Sequence, residues 1–255
     1  MIALTHVPSP GMEKGERTHI APEVIDYHRA LRQHVGYCRM LAGLGVQVRT
    51  LAVNRNMPDS VFIEDTAVVF DELAVLASMG VESRRAEPGG NEPVLREYRE
   101  VHRIEAPATL EGGDVVQVGR TILVGLSSRT NRAGVEALKN IVSPYGYRII
   151  SVTVGQCLHL KTACTALPDG TLLVNPELLD MNALMGFDCV PITREEPWAA
   201  DTLSIGPRVC MPAEHVRTAE LIRKRGFEVV TVELSEFAKA EGGITCLSLL
   251  LNDHV

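Results

Sequence analysis

A cysteine, a histidine and a set of carboxylates recur along this sequence, each just ahead of an apolar run. Asp59, Glu64 and Asp65 lie in "PDSVFIED", Glu111 and Asp114 in "EGGD", His159 in "CLHLK", Asp201 in "AAD" and Cys246 in "GGITC". A thiol, an imidazole and a carboxylate that orients the imidazole make a nucleophilic constellation. The surplus carboxylates suit a planar cation, because a carboxylate pairs bidentately with a guanidinium. Each residue alone also has a structural reading. Free cysteine is among the most buried residue types, and a histidine ahead of an apolar strand commonly packs. "EGGD" and the Pro58-Asp59 pair are ordinary turn sequences. Arg84-Arg85 and Arg129 read equally well as solvated surface charges. Asp65 is harder to set aside, because it interrupts "VFIEDTAVVF", where a buried carboxylate needs a partner or a ligand. Cys157 and His159 alternate on a segment that reads as a strand. Zinc sites take three or four ligands, usually more tightly paired, so no metal is expected there.

Residues so far apart can cooperate only if the fold gathers them, and the sequence carries a repeat able to do so. The unit is strand, short turn, strand, helix, strand. It runs first through "DTAVVFDELAVLASMG", "NEPVLREYRE" and "VHRIEA", then through "DVVQVGRTILVG", "NRAGVEALKNIV" and "YRIISVTV". The third copy is "TACTALPDGTLLVN", "PELLDMNALM" and "FDCVPIT". Pro168-Asp169-Gly170 is its hairpin link, and Asn175-Pro176 its predicted helix cap and first helical position. The fourth is "DTLSIGPRVCMP", "VRTAELIRKRG" and "FEVVTVEL". A fifth unit is split: "CLSLLL" supplies one strand, while the N-terminal segment supplies "IALT", a helix over 22–44 and "VQVRTL". That helix places Val24, Tyr27, Leu31, Val35, Cys38 and Leu41 at helical spacing, predicting one buried face. Unit starts recur every ~40–50 residues, the range of propeller-like repeats. Pairing the two terminal segments closes the ring and removes exposed sheet edges. No linker or low-complexity stretch interrupts the chain, so residues 1–255 read as a single domain. Equivalent positions in a closed ring converge on the axis, which brings the thiol, the imidazole and the acids to one central cavity.

Composition limits the partners. The chain has 255 residues, 45% apolar and 22% charged, with a net charge of −7. That charge argues against nucleic acid or an anionic membrane as partner and is compatible with a cationic small molecule. No basic-then-apolar leader opens the sequence, and no apolar run approaches membrane-spanning length. Six cysteines scattered without paired spacing fit reduced thiols in the cytoplasm. A homodimer is compatible with a soluble enzyme of this size.

"PDSVFIED", "ESRRAE", "EGGDV", "GLSSRTNRAG", "LHLKTA" and "GGITCLS", in order over about residues 2–251, resemble the dimethylarginine dimethylaminohydrolases of the guanidine-modifying (pentein) superfamily. The resemblance implies an α/β fold, a five-bladed α/β propeller of ββαβ-type units with pseudo-fivefold symmetry. It implies hydrolysis of Nω-methylated L-arginine to citrulline and methylamine or dimethylamine. Cys246 matches the nucleophile, His159 the general acid and then base, and Glu111 the carboxylate that orients His159. Asp65 and Asp59 match acids that grip the guanidinium, with Glu64 in the same motif. Arg84 and Arg129 match the pair that binds the substrate carboxylate, and residues 8–17 occupy the segment that acts as a lid. No metal or organic cofactor is implied. Arginine deiminases and amidinotransferases share the constellation but are usually longer. A non-enzymatic propeller binding protein would lack the thiol–histidine pair.

Overall fold

A computed structural model describes residues 1–252. Strands β1 (Ile2–His6) and β2 (Gln47–Leu51) run parallel, joined through helix α1 (Tyr27–Gly43). Next come β3 (Ala67–Val69), β4 (Leu73–Leu76), α2 (Glu87–Leu95) and β5 (Glu100–Arg103). The following unit is β6 (Val115–Val118), β7 (Thr121–Leu126), α3 (Arg132–Val142) and β8 (Arg148–Thr153). A short helix α4 (Leu160–Ala163) leads into β9 (Cys164–Ala166), β10 (Leu172–Val174) and β11 (Cys189–Pro191). Then follow β12 (Leu203–Ile205), β13 (Arg208–Pro212), α5 (Val216–Lys224) and β14 (Glu228–Val232), with α6 (Ser235–Ala238) and β15 (Ser248–Leu251) last.

The described strands form five three-stranded sheets of one pattern. Within each, the first pairing is antiparallel and the second parallel, as in β3–β4–β5 and β6–β7–β8. The split unit obeys the same rule: β15 pairs antiparallel with β1 from Ile2↔Leu251 to Thr5↔Ser248, and β1 pairs parallel with β2. The middle strands are covered on both faces and read as continuous apolar runs, "LAVL" in β4 and "LLV" in β10. The outer strands β2, β5, β8 and β14 are half-exposed. All five inner strands, β3, β6, β9, β12 and β15, line one central cavity, which places them around a common axis. This is the five-bladed α/β propeller. No described helix is long and apolar enough to cross a membrane.

Three helical expectations need correction. The helix expected over "NEPVLREYRE" lies earlier, as α2 at Glu87–Leu95. Helix α1 begins at Tyr27, with Asp26 as its cap accepting from the Arg29 amide at 3.0 Å. Its buried face is Ala30, Gln33, His34, Tyr37 and Leu41, while Val24 (83%) and Val35 (45%) are exposed. The face is rotated because Gln33 is taken inward to serve α6: its Oε1 accepts the Glu236 amide at 2.9 Å and its Nε2 donates to Ser235 Oγ at 2.9 Å. In the third unit the predicted helix over "PELLDMNALM" is reduced to one 3₁₀ turn, Met181–Leu184. Asn175 does accept from the Glu177 amide, at 3.1 Å. The chain then extends instead, so that Leu179 bridges Val154 and Leu179 and Leu184 enter the core beside Val152 and Leu160. Apolar burial outweighs a good capping sequence here.

Candidate active site

The inner strands β3, β6, β9 and β15 each follow a short helical turn: Ile63–Thr66, Gly112–Asp114, α4 and Thr245–Leu247. The Ile63–Thr66 turn packs on both the Gly112–Asp114 and Thr245–Leu247 turns. These turns bring their polar side chains to one end of the axis. A single cavity there is lined by Asp59, Asp65, Arg84, Arg129, His159 and Cys246, together with Glu16, Leu158 and Glu241. Six of the eight residues singled out from the sequence therefore share one space; Glu111 stands behind His159, and Glu64 faces elsewhere.

Glu111 is fully buried, with two hydrogen bonds and one longer ion pair. Its Oε2 lies 2.8 Å from His159 Nε2, its Oε1 takes the Gly80 amide at 2.9 Å, and Arg129 Nη1 approaches Oε1 to 3.7 Å. On the other side of the ring, His159 Nδ1 is 3.7 Å from Asp65 Oδ1. One ligand-type atom from each of Asp65, Glu111 and His159 lies within 4.8 Å of the others. Burial by itself would depress the imidazole pKa. The Asp65 charge, the Glu111 hydrogen bond and Asp114 overcome it and push the value up to about 9. Asp65 is moved the opposite way: burial pushes it up, but His159 and Arg84 hold it below the usual carboxylate range. Asp114 positions the turn, accepting the Leu160 amide at 2.9 Å and the Ser127 hydroxyl at 2.6 Å. Cys157 and His159 lie in a bend rather than a strand, and the Cys157 thiol points to the His159 carbonyl at 3.5 Å.

The glycines of "EGGD" admit this crowding. A Cβ on Gly113 would stand 2.6 Å from His159 Nδ1 and 2.8 Å from Asp65 Oδ1. Neither neighbour can retreat without losing its own pairing. Gly113→Ala is therefore expected to lower the urea midpoint through a destabilisation of about 1–3 kcal/mol. An unshifted midpoint would show these contacts to be slack.

Cys246 sits on the Thr245–Leu247 turn, partly exposed, with Leu247 behind it fully buried. The Gly243 amide points to its sulfur at 3.4 Å. Burial, then the charges of Asp201, Asp65 and Glu64, push the thiol well above its ordinary value and so favour its protonated form. Asp201 supports the turn: it is buried and accepts the Thr245 amide at 3.3 Å. Burial and the nearby Glu64 raise its carboxyl to about 7. "GGITC" reads from sequence as a place where backbone approaches a ligand. The close neighbours of its two glycines are instead Phe62, 2.1 Å from a Cβ at Gly242, and Asp201, 1.6 Å from one at Gly243.

Both arginines are buried, not solvated. Arg84 is fully engaged: Nη1 to Asp65 Oδ2 at 2.7 Å, Nη2 to Glu87 Oε2 at 2.8 Å and to the Phe62 carbonyl at 3.1 Å. Arg129 is looser, with Nη2 donating to Thr18 Oγ1 at 3.4 Å and a buried Nη1 that has no hydrogen-bond partner. Asp59 is pushed up by burial, opposed by Arg84, and accepts the Glu16 amide at 3.1 Å. Glu64 pairs with Lys161, Oε1 to Nζ at 2.6 Å, and both line the large central cavity on the other end of the axis. Lys161, Glu87 and Gly80 had no place in the sequence reading. Lys161 could have been noticed as the one cation within the His159 motif; the other two carry no local signal.

The family profile described as "N,N dimethylarginine dimethylhydrolase, eukaryotic" matches residues 17–183. An N(G),N(G)-dimethylarginine dimethylaminohydrolase of Streptomyces coelicolor is 42% identical over 98% of this chain and 97% of its own length. The chain belongs to the dimethylarginine dimethylaminohydrolase family. A Pseudomonas aeruginosa protein of the same name is 36% identical over 88% of this chain and 89% of its own length. Among solved structures, a mutant of the Pseudomonas dimethylarginine dimethylaminohydrolase complexed with citrulline superposes with a TM-score of 0.90, at 33% identity over 97% of this chain and 98% of that one. The N-terminal domain of the cyanobacterial arginine dihydrolase ArgZ, at 19% identity and a TM-score of 0.84, shares the family's fold.

Proposed function

We propose that this protein hydrolyses Nω-methylated L-arginine to L-citrulline, releasing dimethylamine from the asymmetric dimethyl substrate and methylamine from the monomethyl one. The observation that carries the reading is the single cavity lined by Cys246, His159, Asp59, Asp65 and Arg129 in a chain of this family. A guanidinium carbon is a poor electrophile, because three nitrogens share its charge, and attack on it calls for a thiolate. Asp65, one of the acids that oppose ionisation of the thiol, is also an acid that a bound guanidinium would neutralise. Substrate arrival thus lowers the cost of ionising Cys246. The thiol gives its proton to solvent, since His159 already carries one, and the thiolate adds to the guanidinium carbon. His159, protonated at neutral pH, gives its proton to the amine as the C–N bond breaks, leaving an S-alkylthiouronium. The neutral imidazole then takes a proton from water, the hydroxide adds to the same carbon, and the thiolate departs from citrulline. Glu111 holds the ring for both transfers. No step calls for a metal or an organic cofactor.

Asp65 Oδ1 has no hydrogen-bond partner and offers an acceptor for the guanidinium, with Asp59 as the second acid. Of the two arginines, Arg129 has an Nη1 that lies near Glu111 but makes no hydrogen bond, and suits the substrate carboxylate, while Arg84 holds Asp65 in place. Glu64 acts through its charge and its pairing with Lys161. The reading sets the reaction in the cytoplasm, with the small substrate as partner and a homodimer as a compatible assembly.

Citrulline and amine release should be measured from arginine, monomethylarginine and asymmetric dimethylarginine side by side. Both methylated substrates are expected to outrun arginine. A preference for arginine would make this an arginine deiminase, and no turnover of any guanidine would move the chain to the binding proteins.

A further inference from the structure

Glu241 takes no part in the chemistry above, yet it is built unusually. Its φ of +59° is the left-handed region, and among the described residues it is the one non-glycine there. Such a conformation costs free energy, and it persists where surrounding contacts hold it. The contacts are plain: Glu241 Oε1 accepts the backbone amides of Thr18 and Ile20, each at 2.8 Å, and that of His19 between them. Three successive amides converging on one anionic oxygen form a nest, bound through charge-assisted hydrogen bonds. The Glu241 side chain therefore springs from the wall that also carries Gly242 and Cys246, and catches a segment from the far end of the sequence.

That segment, 16–20, runs along the cavity rim: Glu16 lines the cavity, and His19 and Ile20 line the adjoining one that shares Leu158, Glu241 and Gly242. Its other attachments are the Glu16 amide to Asp59 Oδ2 at 3.1 Å and Arg129 Nη2 to Thr18 Oγ1 at 3.4 Å. Asp59 and Arg129 are also groups assigned above to the substrate, so the segment and the substrate compete for both. They do not compete for Glu241. Of the stretch read from the sequence as a lid, 8–17, Met12 is buried in the core and Glu16 lines the cavity.

We propose that Glu241 is a positioning residue whose carboxylate anchors segment 16–20 at the cavity rim. Substrate can then displace the segment from Asp59 and Arg129 while the segment stays over the site. The substrate half of this inference rests on the proposed function; the anchoring half does not.

Two variants of the full chain separate carboxylate from backbone. Glu241→Gly keeps the left-handed conformation at no steric cost and removes the anchor. Glu241→Gln keeps a neutral acceptor. Hydrogen exchange of amides 18–20, without substrate, is expected to speed up roughly tenfold or more in Glu241→Gly and less in Glu241→Gln. KM for asymmetric dimethylarginine should rise several-fold in the glycine variant, with kcat within about twofold of the parent and partial recovery in the glutamine variant. Exchange at the parent rate in Glu241→Gly would overturn the anchor. Faster exchange with an unchanged or lower KM would overturn its service to the substrate, since a segment that merely blocks the site would raise affinity when released. A parent chain that turns over no methylated arginine would sink the proposed function, and the exchange rates would still decide the anchor.

Discussion

Cys246→Ser is expected to lower citrulline formation from asymmetric dimethylarginine by at least roughly 10⁴-fold, with substrate affinity within about threefold of the parent. The argument starts from the site's electrostatics. Burial and the charges of Asp201, Asp65 and Glu64 already oppose ionisation of a thiol. A serine hydroxyl, whose intrinsic pKa is far higher, would not ionise there even beside a guanidinium. The substitution changes one atom on the Thr245–Leu247 turn and leaves the Asp201 support and the acids intact, so binding should survive. Citrulline release and equilibrium binding measured together check both halves. Turnover at the parent rate would remove Cys246 from the chemistry, and lost binding would mean that the turn had been disturbed.

The second large effect belongs to His159. Expulsion of dimethylamine without a proton donor is slow, so His159→Asn should reduce turnover by about 10²–10⁴-fold. The loss should depend on the leaving group. S-methyl-L-thiocitrulline expels methanethiolate, which needs no proton, so the variant should still form the covalent adduct on Cys246. It should then fail to hydrolyse it, because the same imidazole activates the water. Intact mass measurement reads that adduct directly; its absence would place the histidine before rather than after thiolate attack. The pH profile carries an independent check. In the proposed mechanism the acid form of His159 is the one that acts, and with a pKa raised to about 9 turnover should fall as pH rises through that value. Glu111→Gln removes a partner that raises the imidazole pKa, and the alkaline fall should move to lower pH. A fall that stayed in place would show that another group sets it.

What the sequence disclosed follows from how local each signal is. Strand repeats, the hairpin at Pro168-Asp169-Gly170 and the helix in "NRAGVEALKNIV" depend on neighbouring residues, and they could be read along the chain. The helix expected after Asn175 failed because Leu179 and Leu184 are drawn to a core that the local pattern does not reveal. The face of α1 was misplaced for a similar reason: burial of Gln33 is explained only by α6, some 200 residues on. At the site, ring equivalence pointed to the acids, the histidine and the thiol. It could not show that Arg84 is held by Asp65 and Glu87, that Glu64 turns to Lys161, or that Gly80 donates to Glu111. The last two are pairings across blades and the first is made within a blade's own loops, all settled by distances that no spacing encodes.

The split blade has a further consequence for how the molecule assembles. In its sheet, β15 hydrogen-bonds to β1 alone, through a pairing that joins residues about 250 apart in sequence. Closing so long a loop is entropically costly and tends to come late in folding. The acids and the imidazole lie in blades made of contiguous chain, whereas the thiol rides on the seam. A folding intermediate with four finished blades would already hold a cation-binding rim but no nucleophile. Fraying of the seam in the folded protein would withdraw the thiol first. Reactivity would thus report ring closure more sensitively than any spectroscopic measure of helix or sheet content.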